Sequence, residues 1–484
     1  MAVWTPFIGG SATVSSPITD QERTMNWFRE MSSSPGATSP NSLLPTPGVE
    51  AFSTVVAVGG RANFSCVVGG VERNFTVYGS SLNEVDSMGV STLRGSLAVN
   101  ANPATICTNG DGGDQLFVTS GGKGYCYELS TNILTEISGL VADQGGMLYG
   151  YFVAFNREDS QIRISDLFDG QTWDPTQFAG RTIGADPWQA MLVTPYGQIF
   201  LPGSKTGEVW YNAGAFPFPF APDPSGLFEE GSAATFSIQQ AGKSVVWLAT
   251  NGEGGYKVVR ATGYTPDRIS THAVEFAIAG YTRIDDAIGQ AYTDQGHSFY
   301  LLTFPTANVT WCFDFTTNEW HERGTWIAER SSYQYWRPVF HSFAFGMHLM
   351  ADRQSGVLYR MANDLPRDVE GRVIRRLRRS PAVVNQHLRV FIGKVEILAE
   401  AGVGTITGQG SVPQFMLRQS NDGGRTWGSE RTAQIGRIGQ FFVRAIWWNL
   451  SMSRAKVLEV TATDPVPWRI TAAYLFARGS REAA

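Results

Sequence analysis

Between residues 73 and 361 one pattern keeps returning: an apolar strand, a turn carrying Gly, Asn or Asp, then a second strand rich in aromatics. It is visible in "RNFTVYGSSLNEV" (73–85), "DQLFVTSGGKGYCYELST" (114–131), "YFVAFNREDSQIRISDL" (151–167) and "GQIFLPGSKTGEVWYNAG" (197–214). It continues in "KSVVWLATNGEGGYKVVRATG" (243–263), "GHSFYLLTFPTANVTWCFDFTTNEWHERG" (296–324) and "FGMHLMADRQSGVLYRM" (345–361). The units begin roughly 40–50 residues apart, the period of a propeller blade. Period-two alternation in Phe299, Leu301 and Thr303, and again in Trp311, Phe313 and Phe315, marks strands with two distinct faces. "FDFTTNEW" (313–320) has the strand–turn–Trp shape of a kelch blade. Radial repetition protects strand edges that an open sheet would leave bare. The expectation is an all-β chain with a β-propeller of six or seven blades.

Composition agrees with many short strands. Gly numbers 53 against 38 Lys plus Arg and 43 Asp plus Glu, and hydrophobic residues make up 43%. That is ample for a packed core and wrong for disorder. A net charge of −5 argues against a chain that grips DNA through its whole surface. Cys66, Cys107, Cys126 and Cys312 form no C-x-x-C pair and read as buried thiols of a reducing compartment. "MAVWTPFIGG" lacks the basic and apolar regions of a signal peptide, and no apolar run approaches the ~20 residues of a membrane helix, so no membrane insertion is expected.

The flanks differ from the repeat. Residues 1–50 read as an N-terminal arm, with one short helix over "ITDQERTMNWFREM" (18–31) and an irregular Pro/Ser/Gly segment at 32–48. Residues 51–370 hold the propeller. After the basic run "GRVIRRLRRS" (371–380), residues 371–484 supply five or six strands and no helix, enough for a small β-sandwich-like domain.

"SNDGGRTW" (420–427) has the S-x-D-x-G-x-T-W spacing of the Asp-box found at hairpin turns of sialidase propellers. Asp422 caps its own backbone, Gly424 tolerates positive φ and Trp427 anchors the returning strand, so these three read as a structural turn. A sialidase also needs an arginine cluster, a tyrosine nucleophile and an acid, and none of these follows from the pattern. His272, His297, His321, His341, His348 and His387 show no H-x-H or H-E-x-x-H spacing. Asp111 and Asp114 in "TNGDGGDQ" lack the late glutamate of a calcium loop, and "GGKGYC" lacks the frame of a phosphate loop. No catalytic residue, metal ligand or cofactor is expected. Two surfaces stand out instead. Arg372, Arg375, Arg376, Arg378 and Arg379 alternate along a strand, which makes a solvated or subunit-interface strand the first reading and contact with channel DNA the second. Phe216, Phe218 and Phe220 lie between prolines in "AFPFPFAPDPSG", which excludes a central strand and suits a loop that meets a partner or folds over its own blade.

Several stretches together resemble the packaged-DNA stabilisation proteins, the tail hub or nozzle family of short-tailed phages. They are "ISDLFDGQTWDP" (164–175), "GEVWYNAGAFPFPF" (207–220), "RISTHAVEFAI" (268–278), residues 296–323 and the run from Met416 to Val466. "GADPW" (184–188) departs from the pattern, where Pro is expected before Asp, and reads as a local loop change. The resemblance implies a non-enzymatic virion tail protein that forms a homo-hexamer below the portal and its adaptor ring. It implies a plug or needle, tail fibres or tailspikes, and passing double-stranded DNA bound without sequence specificity as partners. The alternatives are a carbohydrate-binding or depolymerase-like tail propeller and a kelch-like scaffold.

Overall fold

The computed structural model describes residues 2–4, 7–13, 20–32, 34, 39–55, 58–181, 183–385 and 388–479; His387 and most of the 33–38 segment lie outside them. Seven antiparallel units, six of four strands and the fifth of five because Gly231–Ser232 and Gln239–Ala241 both pair with Ser244–Thr250, account for residues 60–362 together with one strand from the start of the chain. Their innermost strands are Gly60–Val68, Thr105–Thr108, Gln144–Leu148, Leu192–Thr194, Gln239–Ala241, Ile288–Asp294 and Pro338–Ala344. Each touches the next and the last touches the first, which closes the ring. The propeller therefore has seven blades among the described residues.

Every joint between consecutive blades has its own apolar cluster. Phe75 and Val77 of blade one meet Leu116 and Tyr127 of blade two, and Phe117 of blade two meets Phe152 of blade three. Trp210 and Trp188 pack with Ile162 and Ile199, and Trp247 with Phe228 and Phe200. The ring closes where Tyr78 and Val85 of blade one meet Leu349 and Leu358 of blade seven. Period-two alternation supplies the two buried faces that such joints need. The four cysteines are free thiols; Cys66, Cys126 and Cys312 are buried in three different joints, and burial pushes the Cys66 thiol up to about 11.

Blade seven is completed by strand Gly48–Thr54, which pairs antiparallel with Val357–Ala362 through Met361 and Val49 and through Arg360 and Glu50. The chain thus fastens its beginning to the end of its last blade. The segments before residue 48 are not a free arm. Gln21–Met25 joins Arg376–Arg379, Val457–Ala462, Gln414–Ser420 and Arg431–Gln434 in one sheet. Trp27–Met31 and Asn41–Pro45 join Ile470–Gly479, Val390–Ala399 and Ala445–Trp448 in the other. The two sheets face each other over Trp27, Phe415, Trp447 and Trp468, so the sandwich is made from both ends of the chain.

The helix expected over 18–31 is replaced, across residues 21–31, by two strands that meet at Asn26 in a left-handed conformation, φ +58. Asn26 Nδ2 donates to the carbonyls of Gly324 and Arg375 at 2.9 Å each, and Gly324 N donates back to its Oδ1 at 3.0 Å. One asparagine therefore joins propeller, linker and sandwich. Met25 also pairs in parallel with Glu322, which continues blade six directly into the sandwich sheet. The local pattern misleads because this segment is fixed by partners some three hundred or more residues away, Glu322, Arg376–Arg379 and Trp468, as well as by the neighbouring strands Ala12–Thr13 and Asn41–Pro45.

Trp27 is fully buried and donates from Nε1 to the Trp468 carbonyl at 2.9 Å. Trp27→Ala is expected to cost about 3–5 kcal/mol, the range for emptying a large core site. Denaturant titration followed by Trp fluorescence, with the shift in midpoint as readout, checks this.

Candidate assembly surfaces and the arginine seam

The basic run lies on the strand between propeller and sandwich, and its members have separate fates. Arg378 is fully buried. Its Nη1 donates to the Gly10 carbonyl at 2.8 Å and to Thr24 Oγ1 at 2.9 Å, Nη2 reaches Glu22 at 2.8 Å, and Nε bonds the Phe7 carbonyl. Burial pulls this guanidinium below its ordinary value, with Glu22 opposing, and burial raises the Glu22 carboxyl. Arg376 is also buried, touches the Thr46 carbonyl at 3.5 Å and is pulled down to about 10 by desolvation.

Arg379 faces Arg23 across the sheet, and each is neutralised separately. Arg379 shares the buried Glu459 with Arg418, at 2.9 and 2.6 Å, while Arg23 holds Glu322 through Nε at 2.9 Å and Nη2 at 2.7 Å. Desolvation lowers the Arg23 pKa, but Glu322 outweighs it and the net shift is upward. Arg375 lies over the Trp326 ring at 4.3 Å and pairs with Glu430 at 3.3 Å; Arg372, partly exposed, pairs with Glu370 at 3.0 Å and Glu329 at 3.4 Å. A polar cavity of about 480 Å³ follows this seam, lined by Arg23, Glu322, Tyr333, Arg375 and Glu430 among others. The expectation of a solvated or interface strand therefore fails for Arg376 and Arg378, which are internal staples. Tertiary carboxylates, Glu22 for Arg378 and Glu459 in "AKVLEVTATD" for Arg379 and Arg418, are what admit arginine to this seam. A lone acid in an otherwise apolar strand was the available signal for Glu459.

The Asp-box is part of the same seam. Asp422 accepts from Arg425 N at 3.0 Å, Thr426 N at 2.9 Å and Thr426 Oγ1 at 2.6 Å, and these bonds with Ser420 hold its carboxyl well below the usual range. Gly424 sits at φ +91, and any Cβ there would collide with the side chain of Gln21, whose Nε2 bonds the Gly423 carbonyl. Trp427 stacks against Arg379 and Arg418 at 4.9 and 4.7 Å. The turn is thus a receptacle for the N-terminal strand, as well as a hairpin.

His297 makes a further staple. Nδ1 lies 2.7 Å from Asp314 of blade six and Nε2 lies 2.6 Å from Glu30 of the sandwich. With a carboxylate on both nitrogens the ring is doubly protonated, and the bond to Asp314, then Glu30, lifts its pKa to about 9 against the cost of burial. His321 beside it is buried and kept neutral by desolvation, with Arg323 and His297 adding to the effect.

The phenylalanines separate as well. Phe216 is 94% exposed, Phe218 is half-buried against Trp210 and Phe220, and Phe220 is buried in the joint between blades three and four, 6.0 Å from Tyr151. Phe220 begins the outer strand of its blade and cannot serve as an exposed contact. On the propeller axis lies a cavity of about 430 Å³ lined by Phe64, Ile106, Met147, Val193 and Phe340, with no carboxylate among its lining residues.

A family model described as "Bacteriophage P22 Gp10, beta-propeller" matches residues 22–365, and one described as "Bacteriophage P22 Gp10, beta-sandwich" matches residues 375–477. The chain belongs to the bacteriophage P22 Gp10 family. The propeller model of the Gp10 family begins at residue 22 and so includes strands that pair inside the sandwich. No curated protein matches the chain. Solved structures are similar at a low level. The N-terminal domain of Nup159 is 9% identical, covering 71% of this chain and 99% of its own, with a TM-score of 0.43. Virginiamycin B lyase from Staphylococcus aureus is 10% identical, covering 64% and 97%, with a TM-score of 0.42. The WD40 domain of Toxoplasma gondii coronin is 7% identical, covering 73% and 87%, with a TM-score of 0.38.

Two predictions follow from the staples. Arg378→Met leaves Glu22 and three oxygens buried without their donor and is expected to cost about 3–5 kcal/mol, with faster proteolysis before residue 25, whereas Arg372→Ala stays within about 0.5 kcal/mol. Urea titration and limited proteolysis distinguish them. Because the folded-state pKa of His297 is raised, its contribution is complete below pH 6.5 and is lost as pH rises through about 9. The thermal midpoint is expected to fall across that window, and His297→Gln is expected to remove this component of the pH dependence.

Proposed function

We propose that the chain is the tail hub, or nozzle, of a short-tailed phage. Six copies form a ring beneath the adaptor ring of the portal. The duplex is retained at the ring's shared centre by a plug or needle and passes through that centre on ejection, while tail fibres or tailspikes attach at the periphery. The observation that carries this reading is the consumption of the basic run inside the molecule. Arg376 and Arg378 are buried, and Arg372, Arg375 and Arg379 each hold a carboxylate. A conduit must let phosphates slide, and free arginines would hold them by counterion release. The chain as a whole is acidic, with a net charge of −5.

The axis of the propeller is unsuited to the role of conduit. Its cavity of about 430 Å³ is walled by side chains that include Phe64 and Phe340, whereas the major groove of B-DNA alone is about 12 Å wide. The passage therefore belongs between subunits, as a closed ring supplies. The same cavity offers no pair of carboxylates for glycoside cleavage, so nothing in it favours the depolymerase-like reading.

Quantitative mass spectrometry of purified virions tests the proposal. The expected result is this chain in tail fractions at half the copy number of the portal subunit; its absence from the particle would overturn the hub reading.

A further inference from the structure

In a four-stranded blade, the turn between the first and second strands and the turn between the third and fourth fall at the same end. At that end of blades one to four the structure exposes large apolar side chains. Met88 is 85% exposed, Tyr149 59%, Tyr196 55% and Phe216 94%. Neighbouring turns touch, so the surface is continuous. Gly69 N donates to Asp111 of blade two at 2.7 Å, and the Phe168 ring lies against both Gly112 of blade two and Gly150 of blade three. The Tyr149 hydroxyl lies over Gly197 of blade four. The charges at this end are acidic: Glu72, Asp86, Asp111 and Asp174 are all exposed. The two arginines near it, Arg73 and Arg94, are both committed to Glu84. A broad apolar floor with an acidic rim is the signature of an interaction site.

The complementary surface is on the sandwich of the same chain. The loop between strands Arg431–Gln434 and Ala445–Trp448 reads Gly-Arg-Ile-Gly-Gln-Phe-Phe-Val-Arg at 436–444. It is braced, because Gln440 N donates to the Arg437 carbonyl at 2.9 Å and Arg437 N donates to Gln440 Oε1 at 2.9 Å. Gly436 and Gly439 take φ of +94 and +83, and the Phe441 ring rests against Gly402. The brace leaves Phe442 97% exposed and Ile438 57% exposed. Arg437 is exposed and has no carboxylate partner among the described residues, while Arg444, half-exposed, is paired with Glu396 at 2.7 Å. The loop is a braced apolar knob with the unpaired Arg437 at its rim.

Knob and floor have opposite charge, and the exposure of Phe442 means that its own chain does not cover it. The sandwich is fastened to blade six by strand pairing, whereas the floor spans blades one to four. We infer that the 436–444 loop of one copy docks on the turn face of blades one to four of a second copy, forming a heterologous head-to-tail contact. Such a contact, repeated, closes into a ring or extends into a filament. The inference rests on the ring reading above and names the surfaces through which the ring forms.

Sedimentation velocity on the full-length chain tests it with two variants at exposed positions. Phe442→Glu destroys the knob and Met88→Glu/Tyr196→Glu destroys the floor; unchanged circular dichroism and thermal midpoints show that both fold. The wild type is expected to assemble, each variant to stay monomeric, and an equimolar mixture to give a species of two chains, since one intact knob then meets one intact floor. A wild-type chain that remains monomeric up to about 100 μM, where even weak contacts with micromolar Kd are populated, overturns the inference. Variants that both still assemble as the wild type does overturn this contact and leave the hub reading standing. Open filaments of the wild type that either variant abolishes support the contact and sink the closed ring.

Discussion

The structure depends on the backbone turn at Asn26. Strand Gln21–Met25 lies in one sheet of the sandwich and strand Trp27–Met31 in the other. The residue between them bonds the main chain of blade six and of the linker. Remove that crossing and the sandwich loses a strand from each sheet and its attachment to the propeller at once. A left-handed φ is tolerated by asparagine better than by most residues. The side-chain amide then has three backbone partners to satisfy, which makes this one position hard to replace.

Around this crossing the charges are arranged to bind the chain to itself. Four of the five arginines are met by carboxylates, Glu22 from the start of the chain, Glu370 close by in sequence, Glu430, and Glu459 from the penultimate strand, while Arg376 meets the Thr46 carbonyl. Buried pairs of this kind add little net stability over apolar packing, but breaking one partner is costly. Their effect is specificity of register: a slip of one residue along Arg376–Arg379 would put Leu377 toward Glu22 in place of Arg378. The same reasoning explains Trp427, which fills the space beside two guanidiniums that Glu459 alone would leave open.

The propeller was legible because its signal is local and repeated. Alternation in 299–303 and 311–315 has the period of a strand, and those strands are where the alternation places them. The C-terminal sandwich was legible for the same reason, and the Asp-box turn had its geometry written in Ser420, Asp422 and Thr426. What could not be read is what depends on distant partners. "QERTMNWFREM" has nothing in it to announce Trp468 or Gly324, so a helix was the natural expectation. "RVIRRLRR" has nothing in it to announce Glu22, 356 residues earlier, so burial of Arg378 was invisible. Phe220 shows the limit at closer range: proline neighbours removed it from a central strand, yet an outer strand beginning at Phe220 accommodates Pro222 and Pro224 at a blade edge.

The fastening of Gly48–Thr54 to Val357–Ala362 has a consequence for how the molecule comes into being. A chain emerging from the ribosome carries its first fifty residues for the whole time that seven blades are being made, and their partners in the sandwich arrive last, at 390–399, 457–462 and 470–479. Contacts of such sequence separation form late, after loop closure over most of the chain. A chain that stops before Val357–Ala362 therefore lacks a closed ring of blades, and one that stops before Val457–Ala462 and Ile470–Gly479 lacks the sandwich. Translation itself acts as a staged length check, closing the ring at one chain length and the sandwich at a greater one.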